Sequence, residues 1–264
     1  LNYSTDVSLV VSGSATGAGL VNIQNGQGSL NIADLVAETV NLSLSDTQST
    51  GKDVSSVQNV IFAVGVPNKF VIIDPADGTV DNPITVTVKA QDAGGNTITT
   101  YNNDVSLQVT GSATGFGLVD IINGTGVINI SDTVSQTVTL SLQDTNSTGL
   151  NTTSTQSVLF AAGAPSKFVI VNPVDGTIDS PILVQVKATD QYGNKVLTYQ
   201  NDVTLNTTGS ASGGGLVFIT NGEGSLNISD TVAETVNLSL SDTQSTGLNV
   251  SSTQNVIFRY GSPT

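Results

Sequence analysis

Through most of the chain apolar residues fall at alternate positions, and nowhere do they sustain the three-to-four-residue recurrence of a helix face. ITVTVKAQ (84–91), DVSLQVTG (104–111) and QTVTLSLQ (136–143) show the alternation most clearly. A period of two sends successive side chains to opposite faces of an extended chain, so each run predicts a strand with one buried face. KFVIID (69–74), GLVDII (117–122), TGVINIS (125–131) and TQSVLFAA (155–162) complete a set of seven strands, with NTITTY (96–101) as a short eighth. Asn123-Gly124 stands between the fourth and fifth as a two-residue hairpin signal, and it recurs as Asn25-Gly26 and Asn221-Gly222.

The pattern repeats. STDVSLVVSGSATGAGLV (4–21), NNDVSLQVTGSATGFGLV (102–119) and QNDVTLNTTGSASGGGLV (200–217) align without gaps, and the spacing of 98 residues also links Lys69 to Lys167 and Phe62 to Phe160 and Phe258. The register predicts a partial repeat at 1–68 and complete repeats at 69–166 and 167–264. Seven strands in a unit of this length fit an Ig-like antiparallel β-sandwich, so the expected fold is all-β, with tandem sandwiches placed end to end. The linkers AVGVPN (63–68), AAGAPS (161–166) and RYGSPT (259–264) are short and contain Gly-x-Pro, which predicts a semi-rigid rod.

The first repeat lacks about 30 residues relative to the others, the part that carries its first two strands. Preceding residues of a longer array could supply them, or a neighbouring chain could lend them by β-strand addition. The C-terminal GSPT falls at a repeat boundary and leaves no spare strand to donate.

Composition narrows the function. Trp, Met, Cys and His are absent, and the apolar fraction of 38% is enough for packed cores. Without His or Cys the chain lacks the commonest general base, the thiol nucleophile and the usual zinc ligands, so no enzyme is expected. GSATGAG (13–19) and GSASGGG (209–215) lack the Gly-Lys-Ser/Thr ending and following helix of a phosphate loop, and they read as connections between strands. A net charge of −14 repels nucleic acid and anionic membranes and favours dissolved cations. No apolar run reaches the length of a membrane-spanning helix, and LNYSTDVS at the N-terminus has no signal-peptide pattern, as in a mature product or a piece of something longer.

VKAQDAGGNTITTYNNDVSLQV (88–109) and VKATDQYGNKVLTYQNDVTLNT (186–207) resemble the strand, Asp, Gly-Asn turn and returning strand of bacterial Ig-like (Big) repeats, the modules of invasin- and intimin-type surface proteins. The resemblance implies display outside a cell or virion. The expected function is a non-catalytic structural protein of a cell surface, filament or surface layer, partnered by other copies of itself or by neighbouring repeats of a longer chain. The alternative is an adhesin for a glycan or receptor, with Tyr101, Tyr192 and Tyr199 as its loop aromatics, or a viral fibre or decoration protein. Neither nucleic acid nor membrane insertion is expected.

DPADGTVDNP (74–83) is the main candidate site. In a seven-strand antiparallel sandwich the loop after the first strand faces the next repeat. Asp74, Asp77 and Asp81 are therefore expected to face Asp190, Asp202 and Asp242, in the loops after the second and sixth strands of the following repeat. Carboxylates converging in this way repel unless a cation lies among them, and calcium with its oxygen ligands fits. Against this, the loop lacks EF-hand spacing, and Asp-Gly, Asp-Pro and D-x-x-G-N are ordinary turn formers. Ten N-x-S/T sequons are present, with Asn41, Asn146, Asn151, Asn237 and Asn249 as glycosylation candidates, foremost Asn146 and Asn151 in the loop DTNSTGLNTTS (144–154).

Overall fold

The computed structural model describes residues 3–178 and 180–261. These residues form 20 strands and no helix. In the first repeat β1 (Val7–Val11), β2 (Gly19–Val21), β3 (Thr39–Ser45) and β4 (Val57–Ile61) make one antiparallel sheet in the order β2-β1-β3-β4.

The second repeat is a sandwich. β5 (Lys69–Ile73), β7 (Ile84–Gln91) and β10 (Thr125–Ile130) form a three-stranded sheet in the order β10-β7-β5. Opposite lies a five-stranded sheet in the order β6-β12-β11-β8-β9, built from β6 (Gly78–Thr79), β8 (Val105–Val109), β9 (Gly117–Val119), β11 (Gln136–Gln143) and β12 (Thr155–Ala161). The third repeat has the same two sheets. They comprise β13 (Lys167–Val171), β15 (Ile182–Thr189) and β18 (Glu223–Ile228), then β14 (Gly176–Thr177), β16 (Val203–Thr207), β17 (Gly215–Val217), β19 (Thr235–Ser241) and β20 (Thr253–Arg259). Two facing sheets, antiparallel but for the short edge strands β6 and β14, with this crossing order define an Ig-like sandwich.

Alternation does the folding. Ile84, Val86, Val88 and Ala90 of β7 and Val138, Leu140 and Leu142 of β11 point inward and meet Phe70 and Phe160 in one core, and the third repeat builds its own around Phe168 and Phe258. Each such large side chain stabilises the sandwich by about 1.5–3 kcal/mol on burial. The four-stranded sheet of the first repeat has no facing sheet among the described residues. Leu9, Leu42, Leu44, Val60 and Phe62 are only half-buried there, while their counterparts Leu107, Leu140, Leu142, Val158 and Phe160 are buried.

Three local departures from the sequence pattern have physical causes. The first strand divides, because Pro75 has no N–H to continue the β5 ladder, and the chain crosses at 74–77 to pair β6 in parallel with β12, Gly78 opposite Phe160. The Asn123-Gly124 turn forms as expected, with φ of 52° and 75°, but its arms separate: β9 pairs with β8 and β10 with β7. The predicted strand 117–122 ends at Val119, since the Ile121 N–H turns to the Asp104 carboxylate at 2.9 Å. The segment 96–101 makes one bridge, Thr97 to Gln91, and no strand.

In each sandwich the chain comes in at a proximal end and leaves from a distal end. The β7–β8 and β11–β12 loops lie at the proximal end, and the turn at 80–83 and the loop at 131–135 lie at the distal end.

Candidate functional site

The distal end of one repeat and the proximal loop of the next are joined by the D-x-x-G-N turn. Asp190 Oδ1 accepts the N–H groups of Tyr192 and Asn194, both at 2.9 Å, which shapes the turn. Its Oδ2 accepts the linker N–H of Gly163 at 2.9 Å and the side-chain amide of Asn194 at 2.9 Å. Asn194 then reaches into the preceding repeat, donating to Thr133 O and accepting from Ser135 N, each at 2.9 Å. One repeat earlier Asp92 holds Gly65 N (2.8 Å), while Asn96 donates to Leu35 O (2.7 Å) and accepts from Ala37 N (3.0 Å).

These bonds set the electrostatics. The Gly65 N–H, then the Asn96 side chain, hold the Asp92 carboxyl well below its ordinary value, at about 2. For the fully buried Asp190, burial pushes upward, and the Asn194 amide and Gly163 N–H overcome it so that its pKa is also lowered. Asp81 completes the second junction by accepting from Ala164 N at 2.8 Å and from the Gln191 amide at 3.2 Å. A Cβ on Gly163 would collide with the Asp81 carboxylate, so glycine is needed there for close approach.

The six acidic residues expected to share a cation are thus placed as follows. Asp81 and Asp190 grip adjacent N–H groups of one linker. Asp77 accepts from Leu159 N at 2.8 Å, Asp202 from Ile219 N at 2.9 Å, and Asp242 from Thr246 N and Gly247 N, both at 2.8 Å. Asp74 is exposed on the crossover. Among the described residues no three His, Cys, Asp or Glu side chains gather to hold a metal. Loop N–H groups without ladder partners lie nearer to the carboxylates than other carboxylates do, and they satisfy the negative charge through charge-assisted hydrogen bonds.

The sequons divide by geometry. Asn41 and Asn237 donate their amides across the sheet to Asn59 and Asn255, at 3.0 and 2.9 Å. Asn151 and Asn249 accept Thr153 N and Ser251 N through Oδ1, which leaves Nδ2 unengaged among the described residues, and Asn146 is exposed at a loop tip. Of the expected loop aromatics, Tyr101 and Tyr199 pack edge-on against Phe70 and Phe168, so only Tyr192 stands out to solvent.

Sequence reasoning missed Asn96 and Asn194 as bridges between repeats. It also missed a distal cluster of Ser14, Asp34 and Glu38 with its counterparts Ser112, Asp132 and Gln136, and Ser210, Asp230 and Glu234. The signal available was recurrence of D-x-x-G-N and of Gly-Ser at the repeat spacing.

No protein-family model and no curated protein matches the chain. Among solved structures it is similar to FdeC, an Escherichia coli adhesin, at 16% identity over 97% of this chain and 87% of that one, with a TM-score of 0.36. It is similar to InvD of Yersinia pseudotuberculosis at 18% identity over 99% and 90%, with a TM-score of 0.38. It is also similar to invasin, a bacterial integrin-binding protein, at 13% identity over 97% and 53%, with a TM-score of 0.39. These are likenesses of fold. No helix among the described residues is long and apolar enough to cross a membrane.

Proposed function

We propose that the chain is a non-catalytic structural part of an extracellular or cell-surface protein, in which tandem Ig-like sandwiches act as a stiff spacer. The observation that carries this reading is the bridged junction. Asp190 and Asn194 bind both the linker and the preceding repeat, and Asp92 and Asn96 do the same one repeat earlier. A spacer whose joints are hydrogen-bonded on both sides keeps its length and direction, whereas neighbouring domains without such contacts move relative to one another. The finer form of the proposal is assembly into a filament or surface layer, through other copies or neighbouring repeats.

Adhesion is a second reading. It rests on Phe218, which is 70% exposed beside the edge strand β17. Binding to a glycan array that Phe218→Ser abolishes would favour it.

Small-angle scattering tests the spacer. The protein is expected to scatter as an extended rod, and the Asn96→Ala, Asn194→Ala double variant is expected to give a broader distribution of shorter distances. Equal flexibility in both proteins contradicts the proposal.

A further inference from the structure

The distal loop that receives the asparagine of the next repeat is built over a small polar cluster of an exposed serine, a half-buried Glu or Gln and an aspartate that is buried in the second and third repeats, and the three repeats differ there at one position. In the second repeat Gln136 Nε2 donates to Asp132 Oδ2 at 2.7 Å and lies 2.6 Å from Ser112 Oγ. Ser112 Oγ donates to Asp132 Oδ1 at 2.8 Å, so the aspartate has partners on both oxygens.

In the first and third repeats glutamate replaces this glutamine. Ser210 Oγ lies 2.7 Å from Asp230 Oδ1 and 2.8 Å from Glu234 Oε1, and Ser14 Oγ lies 2.7 Å from both Asp34 Oδ1 and Glu38 Oε1. A hydroxyl has one hydrogen and cannot donate to both. The Ser210 N–H also reaches Glu234 Oε1, at 2.7 Å. Asp230 is 2% exposed, and its Oδ2, like that of Asp34, is buried without a partner among the described residues. This is the atom that the Gln136 amide satisfies in the second repeat. Gly209, at φ 68°, underlies the pair, and a Cβ there would collide with Glu234 Oε1; Gly13 and Glu38 repeat the arrangement.

Two carboxylates confined in this way repel, and a buried acceptor without a donor costs about 1–3 kcal/mol. A single proton removes both penalties, because a carboxyl O–H then stands where the second repeat has an amide N–H. We propose that Asp34 with Glu38, and Asp230 with Glu234, each hold one shared proton, so that the first junction loosens as the pH rises while the second, built on Gln136, does not. The link to the junction is direct. Leu35 O and Ala37 N, which bind Asn96, lie between Asp34 and Glu38, whereas Thr133 O and Ser135 N, which bind Asn194, lie between Asp132 and Gln136. The Val36 N–H in particular, against burial, holds Asp34 below its ordinary value.

Few other charged groups bear on these pairs. Asp92 lies across the first junction with its carboxylate bound by Gly65 N and Asn96. In the third repeat the strand bonded to Glu234 carries Arg259, which follows Phe258, the donor to Glu234 O, and is itself paired with Asp175 at 2.9 Å. An unfolded chain releases its carboxyl protons near pH 4, while the folded pair retains one to higher pH. Its contribution is therefore complete below that value and is lost as pH rises through the pair's own titration, by about tenfold in the equilibrium per pH unit.

Amide hydrogen exchange on the full chain between pH 5 and pH 8, corrected for intrinsic rates, tests the proposal. Protection of the Ala37 N–H, and of the Val232 N–H that donates to Asp230 Oδ1 at 2.9 Å, is expected to fall with rising pH while that of Ser135 stays level. Glu38→Gln and Glu234→Gln should make the first two level as well, and Gln136→Glu should transfer the pH dependence to Ser135. The third sandwich should also melt at a temperature that falls with pH in the wild type and not in Glu234→Gln. Matching pH profiles at all three amides, or no change at Ser135 in Gln136→Glu, overturns the proposal. Protection restored at high pH by calcium in the wild type but not in the glutamine variants also overturns it, by assigning the pairs to a cation.

Discussion

Asn194 connects three parts of the molecule with one amide. Its two side-chain hydrogens go to Asp190 and Thr133, and its oxygen takes the Ser135 N–H, so both donors and one of the two acceptor lone pairs are used. That D-x-x-G-N forms a turn was legible in the sequence, since Asp and Asn hydrogen-bond nearby backbone and Gly accepts positive φ, here 96° at Gly193. Its reach was not. The carbonyl that Asn194 finds lies 61 residues earlier, and nothing local to the turn specifies it. Asp92 carries the pH consequence. Its folded value of about 2 lies below the ordinary 3.8, so its stabilisation is present above 3.8 and is lost as pH falls through about 2. Thermal melting of the second sandwich should therefore drop over that window in the wild type, and Asp92→Asn should melt lower at pH 5 with a flatter acid limb.

At the scale of elements, legibility followed pattern length. The eight-residue alternations at 84–91 and 136–143 are strands with those same limits. The two-residue β6 and β14 were invisible, because two residues show no period and Gly-Thr has no apolar side to bury. They exist because the sheet edge at β12 and β20 has free backbone groups, and because Asp77 and Asp175 fasten the crossover by accepting Leu159 N and Ile257 N, at 2.8 and 2.9 Å. Asp77→Ala is expected to destabilise the second sandwich by about 1 kcal/mol, the worth of one net hydrogen bond. That is a melting shift of about 4–8 °C for a unit of this size, with faster exchange at Leu159. An unchanged Leu159 would remove Asp77 from this role. The hairpin signal at Asn123-Gly124 was right about the turn and silent about which sheet each arm joins, which is a matter of tertiary pairing.

For the whole molecule, the gapless period made the architecture readable from one complete unit. Strand order placed the acidic loops at the junction without fixing which donors they meet, and there Asp81 and Asp190 meet linker N–H groups. The first repeat yields its own prediction. Its sheet has the same inward residues as the others but only half buries Leu9, Leu42, Leu44, Val60 and Phe62. A variant with a copy of residues 69–98 joined ahead of Leu1 should cover that face and gain several kcal/mol, about 1 kcal/mol for each of these side chains. Exchange at the β3 amides reads the gain, and β3 amides that exchange as fast as before would show that the added hairpin does not dock.

The parallel pairing of β6 with β12 bears on what happens when the molecule is stretched. Tension from the proximal side reaches β6 through β5, and tension from the distal side reaches β12 directly, so the two strands are pulled in opposite directions along their length. The contacts of Gly78 with Phe160, of Thr79 and Val80 with Ala161, and of Asp77 with Leu159 then resist together rather than opening one after another. The third repeat carries the same shear-loaded pair at β14 and β20. In the second and third repeats the shortest strands of the fold are thereby the ones loaded in shear.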